Sequence, residues 1–204
     1  MIRESHLTGV ILAAGASSRM GRTKALLPLD GEFFVDRLIG LMARYCRPVI
    51  VVVGHHAEEI VSASRRAMDA CWVMNPRPQL GQFSSLQCGL RTVPATSSGV
   101  LFAPVDAPAF QPATAEALIR AFRTMPDHGI FRPRHDGRRG HPVLLDSAWV
   151  RNFLEQPVDS QARHLLAAGA AQTQIVDVDD PGILIDVDDP GDYDQLLRDQ
   201  SSHV

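Results

Sequence analysis

The chain has 204 residues, 45% hydrophobic and 21% charged, with a formal charge of -3. Those are ordinary values for one α/β domain spanning 1–204, and they exclude both a disordered chain and a basic nucleic-acid surface. Its three cysteines, Cys46, Cys71 and Cys88, form no C-x-x-C pair, which excludes a zinc ribbon or redox dithiol and fits a reducing compartment.

The N-terminal MIRESHLTG is a poor signal peptide, and the apolar run around Pro48 to Gly54 is far too short to span a bilayer. A cytoplasmic protein is expected, with neither a membrane nor a nucleic acid among its partners. Leu7 to Ala14 reads as a first, buried strand. Apolar residues at Phe34, Leu38, Leu41, Met42 and Tyr45 recur at spacings of three and four, predicting a helix over Glu32 to Tyr45. Val49 to Val53 is a continuous β-branched run, as in a parallel sheet covered on both faces. A helix over His56 to Met68 and a short strand over Ala70 to Met74 follow. Ser84 to Arg91 reads as a helix, Gly99 to Ala103 as a strand and Thr114 to Phe122 as a helix. This rhythm predicts a three-layer α/β/α, Rossmann-like sheet, mostly parallel.

The last third departs from it. Gly129 to Arg132 and Pro142 to Leu145 read as short strands around an Arg/Gly loop, and Asp159 to Ala168 as a helix. Two near copies, IVDVDDPG at Ile175 to Gly182 and LIDVDDPG at Leu184 to Gly191, predict a C-terminal β-hairpin turning at Asp180-Pro181-Gly182. Asp192 to Leu197 closes the chain as a helix.

The most informative stretch is VILAAGASSRMGRTKALLPL, Val10 to Leu29. A small, polar loop at the carboxyl end of a strand brings backbone N–H groups and cations onto a polyphosphate. It is neither a Walker A loop nor the dinucleotide G-x-G-x-x-G, because the glycine and lysine spacings differ. Ala13, Ala14 and Gly15 carry little or no side chain and would let a base and ribose lie against the backbone. Arg19 and Lys24 are candidates to hold a triphosphate and the charge on a departing pyrophosphate. The alternative is a Gly/Ser turn with two solvated cations.

Asp106 follows the strand VLFA between Pro104 and Pro108, where doubly wound folds bind ligands. It could hold Mg2+ or bond backbone N–H groups of its own loop. Asp186 and Asp188 alternate and so share one face; either could complete a metal site, and Asp188 could equally cap the last helix. Asp177 and Asp179, in the other copy, are expected to be solvated. Ser84 is expected to cap a helix, whereas Ser85 and Asn75 are candidate nucleotide contacts. Arg139 and His141, in a basic loop, suit a phosphate-bearing acceptor or simply a solvated hairpin tip.

The pattern L-A-A-G-x-S-x-R-M-G-x-x-K, from Leu12 to Lys24, resembles the opening of nucleotidyltransferases. With Gly81 to Leu90, Pro104 to Pro108, Arg139 to Val143, Asp159 to Leu165 and Ile185 to Tyr193, the chain resembles the molybdenum cofactor cytidylyltransferase family. That resemblance implies a nucleotide-diphospho-sugar transferase fold. It implies Mg2+ as cofactor and transfer of CMP from CTP to the terminal phosphate of molybdopterin or molybdenum cofactor. It further implies Arg19 and Lys24 as the triphosphate clamp and Asp106 as a metal ligand, with a molybdenum hydroxylase apoenzyme as a further partner. Ala14 favours cytidine, since guanylyl relatives usually carry glycine there. Two departures, His141 where the family usually has Asn and Asp159 to Arg163 lacking the family's glycines, fall on the acceptor side. The alternatives are guanylyl or sugar-phosphate nucleotidyl transfer on the same fold, or a non-catalytic carrier of molybdenum cofactor.

Overall fold

The computed structural model describes residues 6–201. In chain order these form β1 (Leu7–Ala13), β2 (Pro28–Leu29), β3 (Glu32–Phe33), α1 (Phe34–Met42), β4 (Val49–Val53), α2 (Ala57–Ala63), β5 (Cys71–Met74), α3 (Gln82–Leu90) and β6 (Gly99–Pro104). There follow α4 (Pro112–Thr124), β7 (Ile130–His135), β8 (Arg138–Arg139), β9 (Val143–Asp146), α5 (Ser147–Glu155), α6 (Ala162–Ala168), β10 (Thr173–Asp177) and α7 (Pro190–Ser201).

One sheet runs β10-β7-β9-β6-β1-β4-β5, with β8 attached to β7. β1 is buried at every residue and pairs in parallel with β4 and β6. β9 alone on this path is antiparallel to both its neighbours, so β7 and β10 again run with β1. The carboxyl ends of β1, β4, β6 and β7 therefore share one edge of the sheet. Strand pleat divides the apolar residues between two faces. Ile11 and Ala13 join one core with residues of α1, α4 and α7, including Leu38, Leu118 and Leu196. Val10, Leu12 and Ala14 join the other with α3, α5 and α6, through Leu86, Phe153 and Leu166. The result is the expected α/β/α sandwich. Among the described residues no helix is long and apolar enough to cross a membrane.

The two copies of D-V-D-D-P-G do not form a hairpin. The first contributes β10, which pairs in parallel with β7. The second forms no strand and crosses back to the sheet's carboxyl edge. The physical reason lies in Asp180, which is buried rather than sitting in a solvent turn. Its carboxylate accepts from Gln111 N at 2.8 Å, Thr114 Oγ1 at 2.5 Å and Gly182 N at 3.0 Å. Three donors hold the bend against the start of α4, and the second copy cannot fold back onto β10. Asp177 is exposed as expected, with 70% of its side chain accessible, and there it forms a two-bond ion pair with Arg134.

The first predicted helix begins late because Asp30 and Gly31, with φ 51° and 80°, turn β2 into β3. Asp-Gly with both φ positive is a tight-hairpin signature that the helical spacing after it obscures. α5 was absent from the predicted elements. Asp146 ends β9 and caps α5 by accepting from Trp149 N at 2.8 Å, so strand runs into helix with no loop to announce it.

Candidate functional site

The loop after β1 is shaped by Ser17, which takes a left-handed φ of 52°. Its carbonyl accepts from the backbone N–H groups of Met20 and Gly21, and its Oγ accepts from Lys24 N at 3.0 Å. The loop thus turns back, and the Lys24 side chain reaches over the end of β1. Ser17 is a fixed position of the L-A-A-G-x-S-x-R-M-G-x-x-K pattern, but the sequence assigns it no role; its left-handed turn and its bond to Lys24 N exist only in the folded loop.

Under this loop lies a cavity of about 270 Å³. Ala13, Ala14, Gly15, Arg19 and Lys24 line it from the first loop, and Asp106 and Asp188 from the far side. Ser85 and Gly81 line it from the start of α3. α3 can approach because Gly89 has no side chain: a Cβ there would overlap Val10 and Val52.

Lys24 is the centre of the charge arrangement. Its Nζ lies 2.7 Å from Asp188 Oδ1 and 3.4 Å from Asp106 Oδ2. Arg19 Nη2 lies 3.0 Å from the other oxygen, Asp188 Oδ2. The Lys24 side chain is only 12% exposed, whereas that of Arg19 is 70% exposed. Asp188 reaches the site because Val187 N donates to Asp106 O at 2.8 Å, which ties the last loop to the end of β6. The hydrogen bond from Lys24, with its charge, holds the Asp188 carboxyl below the usual carboxylate range. Burial pushes Asp106 upward against the opposing pull of Lys24. Asp186 is pushed up to about 6, first by burial and then by the charges of Asp106 and Asp188.

Several expected placements change. Asp188 does not cap α7: Asp192 accepts from Asp188 N and Asp189 N, and Asp189 accepts from Gly191 N and Asp192 N. Ser84 does not cap α3; its Oγ donates to Gly81 O at 2.7 Å. Asn75 is buried beneath the cavity and does not line it. Its Nδ2 donates to Ser84 Oγ and Ser85 Oγ at 3.1 and 3.0 Å, and its Oδ1 accepts from Arg77 N. It orients Ser85. Arg139 and His141 do not line the cavity either, and lie to its flank around β8. Asp186 is beside the cavity and interacts with its carboxylates through charge.

Among the described residues no three Asp, Glu, His or Cys side chains are assembled as a ready metal cage. A strongly hydrated divalent ion commonly uses one or two carboxylates and completes its shell with substrate phosphates and water. Asp106 and Asp188 meet that requirement, and the ammonium of Lys24 shows that a cation is accommodated between them. The arrangement can therefore bind a polyanion on Arg19, Lys24 and the loop N–H groups, beside a two-carboxylate cation site.

Residues 9–175 match the family model described as a MobA-like NTP transferase domain. The chain is 26% identical over 184 residues to the molybdenum cofactor cytidylyltransferase of Escherichia coli K12, covering 87% of this chain and 93% of that one. It is 29% identical to a probable molybdenum cofactor guanylyltransferase of Rhodopirellula baltica, over 78% and 76% of the two chains. It is 30% identical to a nicotine blue oxidoreductase of Paenarthrobacter nicotinovorans, over 85% and 88%. Among solved structures, a Mycobacterium tuberculosis H37Rv protein in complex with manganese superposes with a TM-score of 0.73 at 25% identity, over 95% and 99%.

Proposed function

The chain belongs to the MobA-like NTP transferase domain family, a family of nucleotidyltransferases, and from that premise we propose that it transfers CMP from CTP to the terminal phosphate of molybdopterin or molybdenum cofactor. The observation that carries this reading is the contact of Lys24 with both Asp106 and Asp188 above a cavity floored by Ala13 and Ala14. The relatives include both a cytidylyltransferase and a probable guanylyltransferase, and the alanine at position 14 is what favours CTP over GTP.

In this reading the base and ribose lie on Ala13, Ala14 and Gly15, with Ser85 as a donor held in place by Asn75. Arg19 and Lys24 bind the triphosphate oxygens. An oxygen of the acceptor phosphate forms the new bond to the α-phosphorus. The bond from that phosphorus to the bridging oxygen breaks, and pyrophosphate leaves with the electron pair. The nucleophile is already anionic, so no side chain has to remove a proton; positioning and charge neutralisation do the catalysis. Asp106 and Asp188, with Asp186 beside them, would hold Mg2+, which supplies charge neutralisation at the triphosphate when bound. A structural neighbour was solved in complex with manganese, which is in keeping with a divalent cation on this fold.

The test is pyrophosphate release from the protein with Mg2+, molybdenum cofactor and either CTP or GTP. Release with CTP supports the proposal, and release with GTP alone overturns the base assignment. No release with any NTP, across molybdenum cofactor and a panel of phosphate acceptors, overturns nucleotidyl transfer. That outcome would turn attention to chemistry of the kind named for the oxidoreductase relative.

A further inference from the structure

Among the described residues three buried side-chain nitrogens have no hydrogen-bond partner: His128 Nδ1, Arg132 Nε and His141 Nδ1. His128 precedes β7, at the end of the sheet away from the cavity. The other two are near enough that the charge of Arg132 acts on His141. β8 pairs with β7 as Arg139 with Arg134, and Gly140 N donates to Pro133 O at 3.3 Å. Past it, β9 pairs with the same strand two residues out of step, as Phe131 with Leu144, so His141 to Val143 bulge beside Arg132.

The cluster is built tightly against the candidate site. His141 N donates to Ile183 O at 3.0 Å, and a Cβ on Gly140 would overlap that same carbonyl. The His141 ring meets Phe102 edge-on, with centroids 6.3 Å apart, on β6, the strand that leads into Asp106. The residues from Ile183 lead within a few positions to Asp186 and Asp188. Arg132 and His141 therefore lie one to two strands across the sheet from the cavity, on the same carboxyl edge.

Charge and hydrogen bonding are both unsatisfied there. A guanidinium offers donors and no acceptor, so Arg132 Nε is a buried N–H without an acceptor. Burial and the neighbouring charge of Arg139 hold Arg132 below the usual arginine range. Burial and then Arg132 lower His141 to about 4, which leaves it a neutral imidazole at neutral pH. Stranded donors beside a concentration of positive charge destabilise a fold, and an incoming anion reverses both penalties at once. A neutral sugar or polyol would satisfy hydrogen bonds and leave the charge.

We propose that Arg132, Arg139 and His141 form a subsite for a phosphate monoester, the anionic end of the acceptor, flanking the Asp106–Asp188 site. Arg132 and Arg139 neutralise the dianion, and His141 contributes one neutral N–H. The subsite rests on the nucleotidyl-transfer reading for its meaning and not for its existence, so the two can fail separately.

The deciding measurement is calorimetric titration of inorganic phosphate into protein saturated with Mg2+ and a non-hydrolysable CTP analogue, which fills the Arg19–Lys24 clamp. One phosphate site is expected, weakened tenfold or more by Arg132→Met and by Arg139→Ala, while affinity for the analogue is unchanged. Arg139 is exposed, so its variant reports even where Arg132→Met does not fold. No phosphate site, or one that Arg139→Ala leaves intact, overturns the proposal. Failure of the analogue to bind overturns CTP as the nucleotide; the same phosphate titration on free protein, compared across the variants, then decides for the subsite.

Discussion

Lys24 Nζ stands 2.7 Å from Asp188 Oδ1, so an ammonium occupies a carboxylate that a metal ion would also seek. The same nitrogen reaches Asp106 Oδ2 at 3.4 Å. In the free protein Lys24 is thus an internal counterion for both acids, and a triphosphate that attracts Lys24 releases them. Lys24→Ala is expected to lower kcat/KM for pyrophosphate release by about 10²–10³, the usual loss of a charge-stabilising donor. It should also raise affinity for Mn2+ in the absence of nucleotide, because two carboxylates lose their neutralising partner. Calorimetry with Mn2+ alone checks this, and unchanged or weaker binding would remove the counterion role.

Asp106→Asn keeps the shape of the side chain and removes its charge. Turnover should fall by about 10² or more, with circular dichroism and melting temperature close to those of the parent. Near-normal turnover would take Asp106 out of the reaction.

Ala14→Gly removes one methyl group from the floor of the cavity. The ratio of kcat/KM for CTP to that for GTP should fall by about tenfold, the usual scale for one methyl against a substrate edge. Competition between the two nucleotides in one reaction measures it directly. A ratio that does not move would place base selection elsewhere.

The two displaced titrations act on stability with opposite signs. His141 in the folded protein, at about 4, lies below an unfolded imidazole near pH 6.5. Above that pH both states are neutral; as pH falls from about 6.5 to 4 the unfolded chain takes up the proton first, and stability is lost. His141→Asn should flatten this loss, worth up to about 2–3 kcal/mol for a shift of this size, in urea unfolding across that range. Asp186, raised to about 6, behaves in reverse: its penalty grows as pH rises from about 4 to 6. Asp186→Asn should therefore raise the melting temperature at pH 7 more than at pH 4, by an amount that solvent exposure reduces. An equal effect at both values would show that Asp186 titrates normally.

The strand-loop-helix rhythm, the buried β1 and the loop carrying Arg19 and Lys24 were all legible in the residue order. Each rests on local physics: β-branched runs for central strands, three-and-four spacing for helices, small residues where a strand ends. The position of Asp106 was legible for the same reason, since it follows directly from an apolar strand.

What the sequence by itself determined was this scaffold and the chemical types of its loops. The tertiary structure decided which of those groups meet. Lys24 is 82 residues from Asp106 and 164 from Asp188, and only the parallel sheet and the Val187–Asp106 backbone bond bring them together. The two near-identical Asp-rich copies meet different tertiary surroundings: three donors bury Asp180, the counterpart of Asp189, in the first, and Lys24 and Arg19 take Asp188, the counterpart of Asp179, in the second. Asn75 turned from a candidate contact into a support because Ser84 and Ser85 lie within its reach. Arg132 reads in sequence only as the end of a short strand beside a basic loop, because a buried donor without a partner exists only once the chain has packed around it.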